Sequence, residues 1–330
     1  MEHRRFGKTE LDVSAVGFGA WGIGGPAMAG RVPIGWGSVD DRTSLFALRH
    51  ALDRGITFYD TADFYGLGHS EELIGRVFGN RGDVVIATKV GHTTHHDGSL
   101  RTDYSRDYIL QACERSLKRL NRESIDFYQL HSARVSHLGS GGCLEAMERL
   151  LEQGKIRAWG ISLNTFHPEP EAEYLMQRNL GHGLQLVLNI VNQRAIPLLG
   201  RAHELGYGII ARMPLQFGLL TGKFSRQTRF EPDDHRSFRL PPQILERALE
   251  ALRDVWPLAE NLNMTNTALS LSYCLSFPQI STVIPGIKTP GQVDQNTDDI
   301  RPVDRTTLEC LRQIYTTKLT EVVELMEKQG

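Results

Sequence analysis

Cysteine is scarce in this 330-residue chain, and its four copies, Cys113, Cys143, Cys274 and Cys310, are scattered with no C-x-x-C spacing. That argues against a disulfide framework and fits the reduced, buried thiols of a cytosolic protein. No apolar run approaches the roughly 18 residues of a membrane helix. The opening MEHRRFGKTELDVS is too polar for a signal peptide, so a cytoplasmic protein without a membrane partner is expected. An excess of one charge is also missing: Lys and Arg number 37 against 39 Asp and Glu, a net charge of -2. Nothing in that balance attracts nucleic acid or an anionic surface. No Pro/Ser-rich linker interrupts the middle, so residues 1–330 are expected to form one domain.

What the chain does have is alternation. RRFGKTELDVSAV reads as a hairpin around Gly7-Lys8-Thr9 and then a first strand into Gly17. A long Gly-rich loop follows, up to a helix start before SLFALRHALDRG. From there short apolar runs alternate with amphipathic helices: ITFYD (56–60), DVVIATK (83–89), IDFYQLH (125–131), IRAWGIS (156–162), GLQLVLN (183–189), YGIIARMPL (207–215) and ISTVIPG (280–286). With the first strand these make eight, most separated by a helix. Alternating βα units imply a parallel sheet, and eight of them suggest an α/β fold of the (β/α)8 TIM barrel type. An N-terminal β-hairpin and extra C-terminal helices would flank it. An open doubly wound sheet needs the same pattern and is the alternative.

GFGAWG (17–22) matches the dinucleotide fingerprint G-x-G-x-x-G, with Asp40 and Asp41 near the place of a ribose-binding acid. A Rossmann turn, however, opens a helix at its third glycine. Here Gly22 is followed by IGGPAMAGRVPIGWG, whose glycines and prolines forbid a helix of useful length. The match is read as coincidental.

The catalytic groups of a parallel barrel lie at the C-terminal ends of its strands. Strand two ends in Asp60 with Tyr65 in the following loop, strand three in Lys89 and strand four in His131. A phenol is a poor proton donor at neutral pH unless its anion is stabilised. A neighbouring ammonium lowers its pKa, and a carboxylate keeps the ammonium charged and in place. An imidazole can orient a substrate oxygen. Such a set would protonate a carbonyl oxygen while hydride reaches its carbon.

GITFYDTADFYGLGHSEELIG, VVIATKVG, IDFYQLH, GLLTGKF and VIPGIKTPGQVDQN, in this order, resemble the aldo-keto reductase superfamily over nearly the whole chain. The resemblance implies a catalytic tetrad of Asp60, Tyr65, Lys89 and His131, with Tyr65 as the general acid. It also implies NADP(H) lying extended across the barrel mouth without a Rossmann domain. Gly19, Ala20 and Trp21 would approach the cofactor beside Asp60, and Ser162 and Gln185 would hold the nicotinamide carboxamide. The family follows that serine with Asn; this chain has Leu163, then Asn164. Arg212 stands where an aromatic residue often stacks on the nicotinamide. Pro214, Leu215, Gly218, Leu220 and Lys223 resemble the segment over the pyrophosphate. Ile284, Gly286, Lys288, Thr289, Gln292 and Asn296 resemble the adenosine site. Lys288 and Thr289 suit a 2′-phosphate, which favours NADP(H) over NAD(H). The implied partner is a small carbonyl or alcohol substrate.

Other readings stand beside these. Asp60 alone could be a helix N-cap, and Tyr65 alone a packing residue. His92, His95 and His96 in GHTTHHDGS could suggest a metal-dependent hydrolase, but the stretch reads as a flexible loop and no metal is expected. His92 is placed at the substrate mouth with Trp21, Trp36 and Phe64, Phe217 being a further candidate for the apolar wall. SHLGSGG (136–142) lacks the trailing Lys-Ser/Thr of a P-loop and reads as a loop. A regulatory protein that binds the cofactor on the same fold is the competing function.

Overall fold

Residues 1–30 and 32–330 are described by a computed structural model. Its strands, in chain order, are β1 (His3–Arg5), β2 (Asp12–Ser14), β3 (Phe18–Gly19), β4 (Met28–Ala29), β5 (Val32–Pro33), β6 (Phe58–Asp60), β7 (Val85–Val90), β8 (His92–Thr94), β9 (Leu100–Thr102), β10 (Phe127–His131), β11 (Trp159–Ser162), β12 (Gly183–Val187), β13 (Gly208–Arg212) and β14 (Thr282–Ile284). Eight of them form one parallel sheet in the order β3-β6-β7-β10-β11-β12-β13-β14. Parallel bridges from Val16 to Val283 and from Gly19 to Gly286 close it into a barrel. Helices follow the strands, among them Asp41–Asp53, His69–Phe78, Arg106–Leu120 and Gly142–Glu152. Pro290–Thr297 follows the eighth strand, and Arg305–Ile314 and Thr320–Gln329 are the extra C-terminal helices. The barrel is therefore the observed outcome, and the open sheet is not. No helix among the described residues is long and apolar enough to cross a membrane.

Strand periodicity sorts the side chains into two cores. Phe58, Val85, Ala87, Phe127, Ala158, Ile210 and Ile284 cluster inside the barrel with Phe6, Leu11 and Val13. Tyr59, Ile86, Tyr128, Leu130, Ile161 and Ile209 face the helices instead. Because alternate residues share a face, Asp60 points the way Phe58 does, Lys89 the way Ala87 does, and His131 the way Phe127 does. An apolar plug thus fills the lower barrel and leaves polar groups at the top.

The predicted hairpin is the floor of that plug. β1 and β2 pair antiparallel, His3 opposite Ser14, and the turn between them buries Phe6 completely. The Phe6 ring packs edge-on against Phe127 with centroids 4.9 Å apart. At Gly208 a Cβ would lie 2.6 Å from that ring, so glycine is what admits the phenylalanine.

The glycines of GFGAWG have a related use. A Cβ on Gly19 would meet the carbonyl oxygens of Pro285 and Ile284 at 2.8 and 2.9 Å. The bare backbone lets the first strand close on the last, with Gly19 N donating to Pro285 O at 2.9 Å. Only a three-residue 3-10 turn, Gly22–Gly24, follows, and no Rossmann helix.

Two loop readings are corrected. GHTTHHDGS is not a flexible loop: β8 pairs with β9, His92 opposite Thr102, as a short ribbon beside the barrel mouth. The start of SHLGSGG is helical, in the five-residue helix Val135–Gly139.

Candidate active site

Three strands and one loop deliver the polar centre. β6 ends in Asp60 and β7 carries Lys89, both sealed from solvent. The Lys89 ammonium donates to Asp60 Oδ1 at 2.5 Å, to the Thr61 carbonyl at 2.7 Å and to Tyr65 Oη at 3.2 Å. Asp60 Oδ2 accepts from Gln129 Nε2 at 3.1 Å and from Gln185 Nε2 at 2.7 Å. Each charge therefore has the partners that a buried ion pair requires. Tyr65 reaches Lys89 because the chain after it turns through the left-handed region at Gly66 and Leu67, with φ of 60° and 53°.

Electrostatics follow from this packing. Burial works against the Lys89 charge, but Asp60 and then Tyr65 outweigh it and hold the ammonium above its ordinary value. Burial raises the Tyr65 phenol, and Lys89 offsets that rise only in part. The expectation of a net lowering is thus reversed, because desolvation outweighs the ammonium. Tyr65 is a protonated phenol at neutral pH.

His131 follows Gln129 on the same face of β10. Its Nδ1 is buried without a partner, and its ring stands edge-on to Tyr65 with centroids 5.9 Å apart. His92 stacks on it at 4.2 Å and 18°. Burial, then the neighbouring His92, holds His131 well below the usual imidazole range. Burial and Lys89 bring His92 to about 4. Both rings are neutral at pH 7.

Aromatic side chains wall the cleft. Trp21 lies over Tyr65 at 5.8 Å and 21°, and meets Trp36 and His235 edge-on at 5.3 and 5.0 Å. Trp36 also packs on Phe217 at 6.0 Å, and Phe64 meets His92 at 5.5 Å. The structure so brings the four residues Tyr65, Lys89, Asp60 and His131 together with the whole expected wall. His95 and His96 are exposed, and among the described residues no group of three or more His, Cys, Asp or Glu could hold a metal ion.

The other expected cofactor residues lie in β3, β11, β12, β13 and β14 or in the segments that follow them. Gly19 and Ala20 are buried at the end of β3. Ser162 Oγ donates to Gln185 Oε1 at 3.2 Å, and Gln185 in turn holds Asp60. Asn164 does not reach the cleft by its side-chain oxygen, which accepts from the backbone of Phe166 and His167. Arg212 ends β13 and donates to the Leu163 carbonyl and Thr165 Oγ1, each at 3.1 Å, leaving its Nε buried without a partner. Pro214 and Leu215 precede the 3-10 segment Gln216–Thr221, which holds Gly218 and Leu220. Beyond it Lys223 reaches Gln295 Oε1 at 3.2 Å. After Ile284 in β14 and Gly286, Lys288 Nζ donates to the Trp36 carbonyl at 3.1 Å, and Thr289 caps the helix Pro290–Thr297 through Gln292 N. Asn296 is 3% exposed and its amide nitrogen has no partner. Open space at Gly286, the unpaired buried amide of Asn296 and the Lys288 ammonium just before a helix start fit a dinucleotide.

Gln129 was missed in the sequence, as were Glu71 and Arg119. Glu71 is fully buried, paired to Arg119 at 2.6 Å and accepting from Thr88 Oγ1 at 2.6 Å. Through Arg119 the Glu71 carboxylate ties the helix behind Tyr65 to the helix Arg106–Leu120, and through Thr88 to the strand that carries Lys89.

Comparison with known proteins agrees with this geometry. The sequence model of the Aldo/keto reductase family matches residues 15–314. The aldo-keto reductase YhdN of Bacillus subtilis is 32% identical over 306 residues, covering 89% of this chain and 87% of that protein. A probable voltage-gated potassium channel subunit beta of Arabidopsis thaliana is 27% identical and covers 100% of this chain and 98% of its own. The solved structure of the glycerol dehydrogenase AKR11B4 from Gluconobacter oxydans superposes with a TM-score of 0.79 at 28% identity, over 96% of this chain and 95% of that one. By fold, by sequence and by the groups gathered at its barrel mouth, the chain belongs to the aldo/keto reductase family.

Proposed function

We propose that this protein reduces an aldehyde or ketone, or oxidises the matching alcohol, with NADP(H) as the hydride carrier and Tyr65 as the general acid and base. The observation that carries the proposal is the buried ammonium of Lys89, which donates to both Asp60 and Tyr65. When bound, the nicotinamide supplies or accepts the hydride. Tyr65 gives its proton to the oxygen on which charge develops, and the adjacent ammonium stabilises the phenolate left behind. Asp60 keeps Lys89 charged and placed. His131, neutral, offers an N–H to the same oxygen and fixes its direction without competing as an acid. Trp21, Trp36 and Phe64 exclude water from one side of the reacting carbon.

Ser162, Gln185 and Arg212 would hold the nicotinamide end. Leu215, Gly218 and Lys223 would lie along the pyrophosphate, and Lys288, Thr289, Gln292 and Asn296 at the adenosine. Lys288 and Thr289 favour a 2′-phosphate, hence NADP(H).

The Tyr65→Phe variant tests the proposal. It should bind NADPH as the parent does and lose at least about 100-fold in turnover. Undiminished turnover would reject Tyr65 as the acid. The likeness to the Arabidopsis protein, named as a channel subunit, favours a second reading as a cofactor-binding regulator. Tight NADPH binding without turnover over a broad carbonyl panel would select it.

A further inference from the structure

The segment between β13 and the helix Pro242–Ala251 crosses the barrel mouth and docks on the first loop. His235 N donates to the Gly35 carbonyl at 3.2 Å, and Trp36 bridges to Asp234. The His235 ring is held at both nitrogens: Nδ1 is 2.9 Å from the Pro33 carbonyl and Nε2 is 3.1 Å from Arg239 Nε. A carbonyl only accepts and a guanidinium only donates, so the neutral imidazole carries its proton on Nδ1 and accepts at Nε2. Arg239 is thereby fixed by its Nε, and its two terminal nitrogens have no acceptor among the described residues.

Arg239 shares a cleft with Arg212, Trp21, Phe217, Phe166 and Met326. Neither arginine has a carboxylate within ion-pair distance among the described residues, whereas Arg236, three positions before Arg239, pairs with Asp234 at 2.6 Å. Arg212 feels Arg239 as a like charge. Two partly buried guanidinium groups facing one cleft are costly unless an anion arrives to offset them. Cofactor phosphates are less suited to that part. Of the cations argued for them, Lys223 lies against the helix after β14 and Lys288 donates to the Trp36 carbonyl, while Arg239 shares its cleft with residues that follow β11 and with the C-terminal helix.

We propose that the preferred carbonyl substrate carries an anionic group, a carboxylate or a phosphate, which Arg239 binds through its terminal nitrogens with Arg212 alongside. Bidentate recognition of a planar or tetrahedral oxyanion is what a fixed guanidinium fork does best. The inference deepens the reductase reading and rests on it for the identity of the cleft.

The test is calorimetric titration of the NADP+-loaded protein with three aldehydes of one shape: 4-carboxybenzaldehyde, 4-formylphenyl phosphate and 4-methylbenzaldehyde. At least one anionic aldehyde should bind roughly 10- to 100-fold tighter than the neutral one, and the stronger of the two names the group. The Arg239→Gln variant should collapse that ratio, and Arg239→Lys should restore part of it. Equal affinities for all three in the unaltered protein would overturn the proposal without recourse to any variant. So would an Arg239→Gln protein that loses NADP+ affinity and keeps the ratio. NADPH oxidation with 4-methylbenzaldehyde, measured separately, examines the reductase reading itself, and its failure leaves the binding comparison standing.

Discussion

Lys89 Nζ lies 2.5 Å from Asp60 Oδ1, the two side chains being 0% and 3% exposed. A pair so enclosed is costly to break, because either charge left alone stays desolvated. The Lys89→Met variant would leave the Asp60 carboxylate with only the amides of Gln129 and Gln185. Urea unfolding should show a loss of about 3–5 kcal/mol. The double variant with Asp60→Asn removes both charges and should unfold later than the single one, while turnover stays lost. A double variant no more stable than Lys89→Met would show that the pair is not what holds this part of the barrel.

The pH profile follows from the neutral histidines and the raised phenol. His131 and His92 are held below the usual imidazole range, so neither gains a proton as pH falls through 6.5. Tyr65 is raised above 10, so it keeps its proton through neutrality. Carbonyl reduction should therefore hold a plateau across neutral pH and decline only on the alkaline side as the phenol ionises. A limb in kcat/KM near 6.5 would contradict a neutral His131.

Stability has its own sign. The folded pKa of His92 is depressed to about 4. Between that value and the ordinary one near 6.5 the unfolded chain binds more protons than the folded one. Its contribution is thus present above pH 6.5 and is lost as pH falls toward 4. Denaturant unfolding measured across that window should show a steeper fall for the parent than for His92→Phe.

Barrel closure and the proposed cofactor contact separate at two glycines. Gly19→Ala would press a Cβ onto the carbonyls of Pro285 and Ile284, backbone atoms that cannot rotate aside. A loss of roughly 1–3 kcal/mol in unfolding free energy is expected. At Gly286 a Cβ would meet nothing within 4 Å. Gly286→Ala should leave stability within about 0.5 kcal/mol and weaken NADPH binding, as read by fluorescence titration. A thermal melt that ranks the two variants the other way would refute this assignment of roles.

Much of this arrangement was legible in the chain. Phe58 and Asp60, and Ala87 and Lys89, are two residues apart and Phe127 and His131 four, apolar below and polar above, and strand periodicity alone puts them on one wall. Gln129 obeys the same rule and could have been found by it, but an uncharged amide in a strand carries no chemical signal of its own. The two adjacent threonines after His92 favoured a strand, and the surrounding glycines and aspartate hid it. Val135–Gly139 is too short for helical periodicity to show. His235 and Arg239 gave no signal, since only the docking of residues 230–240 on residues 33–36 gives them partners.

By itself, then, the order of residues determined the number of βα units, the parallel sheet and the side of each strand that carries charge, because these are local consequences of backbone alternation. Tertiary structure decided the rest. Whether the Tyr65 phenol is raised or lowered, whether the imidazoles are charged, and which arginine lacks a counter-ion all depend on solvent exclusion and on neighbours far away in sequence. Those quantities exist only once the barrel has closed.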